Sequence, residues 1–247
     1  MRLAAIYDIH ANLPALEAVL DEIRGTSVVR IVVGGDVVPG PMPLETLQLL
    51  SSVAIPIDFI QGNGEVAVIA EMEGKNPAVP ESVRPVIQWT AQQLNSEQRH
   101  LLASWPKTIR IEIAGLGKTL FCHATPENEN DIVTRETLEQ RLSPIFSKLD
   151  VAVVVCGHTH MQFDRMIGGV RVVNAGSVGM PFGKPGAHWL LLGPDLEPRY
   201  TLYDLPKAAA RVRDTNYPQA DQFSESNILN PPTEEQMLRA FKSGELK

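Results

Sequence analysis

The chain of 247 residues has 44% hydrophobic and 21% charged residues, a globular balance that excludes general disorder and allows one large domain or two small ones. Its net charge of −7 disfavours a broad grip on nucleic-acid backbones, which needs clustered Lys and Arg, but admits a small phosphorylated substrate approached through metal ions. No apolar run reaches the length of a signal-peptide core or a membrane span, so the expected address is the cytoplasm, with no membrane partner.

In chain order, apolar runs rich in Val and Ile predict strands at 3–7, 28–33, 57–61, 119–122, 151–156, 170–173, 189–192 and 199–203. Their continuous apolarity points to strands covered on both faces. The first two gaps read as helices over 13–24 and 43–51; the earlier one has Asn12 as N-cap, Pro14 in its first turn and Gly25 past its end. Alternating strand and helix favours a parallel sheet with right-handed crossovers. Residues 66–105 are helical in pattern and form a candidate cap beside the strand ends. From 107 onward strands dominate, with one helix over 135–148. The tail from 214 is polar and proline-broken until Thr233, which opens a capping box for an amphipathic helix carrying Met237, Leu238 and Phe241. Whether that helix docks on its own chain or on a second copy, making a homo-oligomer, is left open. Cys122 and Cys156 each close an apolar run and read as buried small hydrophobes.

Four of the six histidines, His10, His123, His158 and His160, fall directly after predicted strands, together with Asp8, Asp36 and Asn63. The carboxyl ends of strands are where open α/β sheets bind ligands. Asp8 and His10 are two residues apart, as are His158 and His160, so each pair projects to one side of an extended segment. Taken singly, Asp8 suits a helix N-terminus, Asp36 a turn and His123 a satisfied core position. Jointly these readings need a coincidence at five strand ends. Imidazole, carboxylate and amide donors suit Mn, Fe, Co, Ni or Zn. Seven such groups exceed the needs of one ion, and two ions sharing a carboxylate is the economical solution.

The ordered motifs DIHAN (8–12), GGDVVPGP (34–41), GNGE (62–65), CHATP (122–126) and CGHTHM (156–161) resemble those of the calcineurin-like metallophosphoesterases, and NAGSVGMP (174–181) resembles a late segment of their compact bacterial and archaeal members. The resemblance covers residues 1–205, expected as the catalytic domain with its insertion at 66–105, and leaves 206–247 as a helical extension. It implies an α/β fold: a four-layer α/β/β/α sandwich of two mixed sheets, with the small helical insertion over the active site. It also implies a metal-dependent phosphoesterase acting on phosphomonoesters or phosphodiesters of small molecules through a hydroxide activated by two divalent metal ions, Mn first among the candidates. Carried over, Asp8, His10, Asp36 and His160 would hold one ion; Asn63, His123 and His158 would hold the other, with Asp36 as bridge.

Asn63 and Gly64 alone would read as a hairpin turn; the resemblance makes Asn63 a ligand and the residue that orients the substrate phosphate. Asn12 is left as either helix cap or second phosphate contact. Gly64 departs from the family, which usually has a histidine there to protonate the leaving oxygen, and Ala11 replaces a frequent glycine. Glu65, His100 or metal-bound water are the substitutes to weigh; otherwise His100 and His188 read as surface or packing residues. Installing Gly64→His is expected to raise turnover, more for alkyl than for 4-nitrophenyl phosphates. The alternative is a regulatory protein that keeps the metals and has lost efficient catalysis.

Overall fold

The structure, a computed structural model, describes residues 2–242. Its first part alternates β1 (Arg2–Ile6), α1 (Leu13–Arg24), β2 (Val28–Val33), α2 (Pro43–Ser52) and β3 (Ile57–Phe59). These strands pair in parallel, with Ala4 opposite Ile31 and Val33 opposite Phe59, as the alternation predicts. α1 forms because Asn12 accepts a hydrogen bond from the Ala15 N–H at 3.3 Å while Leu16, Val19, Leu20 and Ile23 share one buried stripe.

Three helices follow, α3 (Asn63–Met72), α4 (Arg84–Gln93) and α5 (Ser96–Ser104). The helical region expected from 66 therefore starts at Asn63, where the Glu65 carboxylate accepts the Gly62 N–H at 2.7 Å and closes the first turn. That helical start also disposes of the hairpin reading of Asn63 and Gly64.

Beyond them lie β4 (Thr108–Ile113), β5 (Gly117–Cys122), α6 (Glu139–Phe146), β6 (Val153–Cys156), β7 (Phe163–Ile167), β8 (Val170–Asn174), β9 (Ala187–Leu192) and β10 (Leu196–Thr201). β4 and β7 are absent from the sequence reading for one physical reason. Each is an edge strand in the sheet order β4-β5-β6-β8-β7, and each alternates, as where Ile111 and Ile113 are buried while Arg110 and Glu112 are exposed. A search for continuous apolar runs passes over such strands. α6 is shorter than the expected 135–148 because a turn precedes it: Thr137 Oγ1 accepts from the Thr134 N–H at 2.9 Å, and Arg165 donates to the carbonyls of Thr134, Arg135 and Thr137.

The second sheet has the order β10-β9-β1-β2-β3. Leu3, Ala5, Val32, Leu190 and Leu192 on its inner face meet Phe121, Val153, Val155 and Val173 of the other sheet. Its outer face buries Ala4, Ile6, Ile31 and Val33 under the α1 and α2 stripes, and Leu142 and Phe146 of α6 cover Leu120, Val154 and Val172 on the far side. The result is the expected four-layer α/β/β/α arrangement of two mixed sheets.

The chain continues through α7 (Leu205–Arg213), α8 (Ala220–Phe223), a π-helical turn at Ser224–Leu229 and α9 (Glu234–Phe241). Residues 220–229, read as irregular from sequence, are helical because Phe223 and Ile228 bury against Ala208, Ala209 and Val212. The predicted capping box forms, Thr233 Oγ1 accepting the Gln236 N–H at 3.2 Å and Gln236 Oε1 the Thr233 N–H at 2.8 Å. α9 docks on its own chain: Arg135 pairs with Glu234, and Phe241 meets Phe182 with ring centroids 6.2 Å apart. The last five residues of the expected 206–247 extension lie outside those described. Among the described residues no helix is long and apolar enough to cross a membrane.

Candidate metal centre

The parallel strands β1 and β2 end side by side, and their loops stay zipped: the Asp8, His10 and Ala11 N–H groups donate to the carbonyls of Gly35, Asp36 and Val37 at 3.1, 2.8 and 2.8 Å. Asp8, His10 and Asp36 are thereby held along one edge. From the other sheet, β5 delivers His123 and β6 delivers His158 and His160. The Asp8 Oδ2 accepts the His158 N–H at 2.9 Å, so groups 150 residues apart in sequence touch. Gly157 permits this approach, since a Cβ there would lie 2.5 Å from Asp8 Oδ2.

Among the described residues, the non-glycine positions with positive φ are Asp8, His10, Ala11, Asp36, His158 and His160, at 47° to 66°. Five of these six are sequence-predicted ligands. Left-handed backbone is disfavoured for side-chain-bearing residues and collects where structure is held for function.

One donor atom from each of Asp8, His10 and His160 lies within 4.8 Å of the other two, and the same holds for Asp8, Asp36 and His123. The facing Nε2 atoms of His10 and His160 are 3.2 Å apart. Asp36 spans both groups, Oδ2 lying 3.7 Å from His10 Nε2 and Oδ1 3.5 Å from His123 Nε2. Asn63 Oδ1 stands 2.9 Å from His123 Nε2. Asp8 Oδ1 is 3.4 Å from His160 Nε2 and 3.8 Å from His123 Nε2, so Asp8 borders both groups, whereas the resemblance assigned it to one. His158 is outside both tight groups; its ring sits edge-on to His123 with centroids 5.2 Å apart.

Orientation comes from behind. His123 Nδ1–H donates to the Gly34 carbonyl at 2.9 Å and His160 Nδ1–H to the Met180 carbonyl at 2.7 Å, which turns each Nε2 lone pair inward. Asn174 donates to the Gly157 carbonyl at 2.6 Å, and Ser177 Oγ to the Asp8 carbonyl at 2.8 Å, explaining the late NAGSVGMP segment as scaffolding for both loops.

The donor set fits divalent cations. Asp8 Oδ1 is buried without a hydrogen-bond partner among the described residues, an expensive condition that a cation beside Asp8 relieves. Burial alone would push the Asp8 carboxyl up, yet His160, His123 and His10 hold it well below the usual carboxylate range. Burial, then His123, pushes His158 down to about 4, leaving a neutral imidazole able to donate its lone pair. His123 and His160 move upward despite burial because Asp36 and Asp8 face them. The carboxylates thus draw positive charge into the cleft.

Two readings from the sequence bear on this corner. Glu65, one of the substitutes weighed for the missing acid, is fully buried and accepts four backbone N–H groups, from Asp36 at 2.8 Å, Val37 at 2.7 Å, Val38 at 3.1 Å and Gly62 at 2.7 Å. Burial and then the Asp36 carboxylate push it up to about 7, against the pull of those donors. Glu65 is therefore a clamp on the Asp36 loop. His100 lies exposed on α5 beside Arg99, 3.1 Å away, and His188 bonds the Lys184 carbonyl at 3.1 Å.

The second concerns Gly64, where the packing argues against a gain from histidine. The Gly64 N–H donates to Asp36 Oδ1 at 2.7 Å, and a Cβ there would lie 2.3 Å from the Val38 carbonyl oxygen and 2.8 Å from Pro39 Cδ. An imidazole cannot be added to this backbone. Gly64→His is thus expected to lower turnover and to destabilise by about 2–3 kcal/mol, a fall of roughly 5–10 °C in thermal midpoint by calorimetry. An unchanged midpoint with raised turnover would restore the sequence expectation.

Asn12 is wholly buried; besides capping α1 it donates to the Gly179 carbonyl at 2.9 Å and Tyr203 Oη at 3.3 Å. These bonds support the cap reading of Asn12. A residue missed in the sequence is Phe182, which stacks on the His160 ring at 5.2 Å and 24° and is backed by Phe241. Its only sequence signal was a place beside the late motif. A cavity of about 440 Å³ between Pro43, Trp89 and Thr215 has none of the candidate ligands in its walls, so size alone does not locate the centre.

The calcineurin-like phosphoesterase superfamily domain matches residues 1–195. An uncharacterised protein of Methanocaldococcus jannaschii is 28% identical over 181 residues, 71% of this chain and 69% of that one. A metallophosphoesterase from Sphaerobacter thermophilus superposes with a TM-score of 0.71 at 26% identity, over 92% of this chain and 99% of that one. A hypothetical protein from Pyrococcus horikoshii shares the fold, with a TM-score of 0.77 at 18% identity over 94% and 99% of the two chains. With the domain match spanning most of its length, the chain belongs to the calcineurin-like phosphoesterase superfamily, a family of metal-dependent hydrolases of phosphoesters.

Proposed function

We propose that the protein hydrolyses phosphomonoesters or phosphodiesters of small molecules with two divalent ions, one held by Asp8, His10, Asp36 and His160, the other by Asn63, His123, His158 and the shared Asp36. The observation that carries this reading is the Asp36 carboxylate, which presents one oxygen to His10 at 3.7 Å and the other to His123 at 3.5 Å. When bound, such a pair neutralises phosphoryl charge and acidifies a water for attack on phosphorus. The donor chemistry admits Mn, Fe, Co, Ni or Zn, with Mn the first to try.

The chain's own groups do the remaining work. Asn63 turns its amide oxygen toward His123 and its NH₂ donates to a phosphoryl oxygen. Gly64 and Glu65 leave no side chain at that edge to protonate the leaving oxygen, because one has none and the other is spent on backbone. A general acid contributes about 10²–10⁴ in rate. Substrates with acidic leaving groups are therefore favoured.

With Mn²⁺ added, 4-nitrophenyl esters are expected to turn over faster than matched alkyl esters, with an enhancement over the uncatalysed rate at least as large as that of the alkyl esters. A larger enhancement for the alkyl esters would show that another group supplies the proton. Turnover no better than that of an Asp36→Asn variant on every ester would favour the metal-retaining regulatory alternative.

A further inference from the structure

Beside the metal centre lies a second cavity of about 280 Å³, and Asn63 belongs to both. One face of α3 supplies a wall of Val66, Ala67 and Ala70; the loop after α3 supplies Pro77, Ala78 and Val79 opposite. The polar lining is Asn63, Lys75, Asn76 and Asn130. Asn76 and Asn130 offer amides, and Lys75 brings an ammonium that is 2.7 Å from Glu73 Oε2.

Asn63 stands 2.9 Å from His123 at the centre and also lines this cavity, so a phosphoester held at the centre has the cavity beside it. We infer that the cavity takes the ester's organic arm, and that the arm is a compact, flat, uncharged ring. This inference rests on the phosphoester reading above. The volume accommodates one ring system, less than most drug-sized sites hold. A second phosphate would meet a single ammonium already paired with Glu73. A sugar would bring more hydroxyls than the aliphatic walls can satisfy. A flat ring buries its faces against Val66, Ala70, Pro77 and Val79, and leaves its rim to the amide groups not already engaged, the Asn76 NH₂, whose oxygen accepts from Arg84, and the Asn130 oxygen, whose NH₂ donates to Asn128 Oδ1 at 3.4 Å. Two sources share this chemistry, a simple aryl group and a nucleobase; only the nucleobase uses the amides.

The test is binding of non-hydrolysable phosphonates to the Mn²⁺-incubated protein by calorimetry. Phenylphosphonate is expected to bind about 10–100-fold more tightly than methylphosphonate, from the burial of its ring. Ala70→Leu, on α3, and Ala78→Phe, on the exposed loop, fill the cavity and are expected to erase that preference while leaving methylphosphonate affinity unchanged. Asn130→Ala separates the sources: it weakens (thymin-1-yl)methylphosphonate, which carries the base without a sugar, and spares phenylphosphonate if the ring is a nucleobase, and spares both if it is a plain aryl group. Methylphosphonate binding with no gain from the ring, or a preference that survives both filled variants, overturns the cavity assignment alone. No binding of either phosphonate overturns the phosphoester reading along with it.

Discussion

Asp36→Asn is expected to lower kcat toward a 4-nitrophenyl phosphoester by about 10³-fold or more, the loss of several kcal/mol of charge stabilisation. Asparagine keeps the shape and one acceptor, so the Gly64 N–H that donates to Asp36 Oδ1 at 2.7 Å retains a partner. What disappears is the charge and one of the two oxygens facing His10 and His123. The fold should therefore survive with a thermal midpoint within a few degrees, while elemental analysis shows about one ion fewer per chain. A variant that keeps full metal content and wild-type kcat would remove Asp36 from the shared position.

Glu65→Ala is expected to cost about 4 kcal/mol or more, a drop of roughly 8–16 °C in the thermal midpoint. Truncation leaves the buried N–H groups of Asp36, Val37, Val38 and Gly62 without their acceptor. Each orphaned buried donor costs about 1–3 kcal/mol before relaxation. Glu65→Gln keeps the volume but points an NH₂ at converging donors, so it too should destabilise, which separates lost hydrogen bonds from a lost space-filler. Activity should fall in both, because the same clamp fixes the loop carrying Asp36. A general-acid role would give the opposite signature in Glu65→Gln: kcat lost with the midpoint kept.

The centre was legible in the sequence because its donors are polar residues at abrupt ends of apolar runs, a pattern the two-sheet core cannot use otherwise. His123 and His158 show it: each follows a strand buried on both faces. β1, β2 and α1 were equally plain, since continuous apolar strands and a capped amphipathic helix announce themselves locally. Edge strands such as β4 did not, because alternation with Arg110 and Glu112 looks like loop. Nor did the roles of Glu65 and Gly64, which depend on what lies across space: four converging N–H groups in one case, the Val38 carbonyl in the other. The resemblance marks a histidine as usual at position 64 and the sequence shows it absent; only the packing shows how tightly that corner is closed.

The left-handed backbone at Asp8, His10, Asp36, His158 and His160 has an evolutionary corollary. Each such position costs about 1 kcal/mol relative to glycine. Selection for thermal endurance alone would replace these five with glycine and dismantle the chemistry while hardening the scaffold. Robustness and purpose pull in opposite directions at the same handful of α-carbons, so heat-selected descendants of this chain should be assayed for phosphoester turnover at every round.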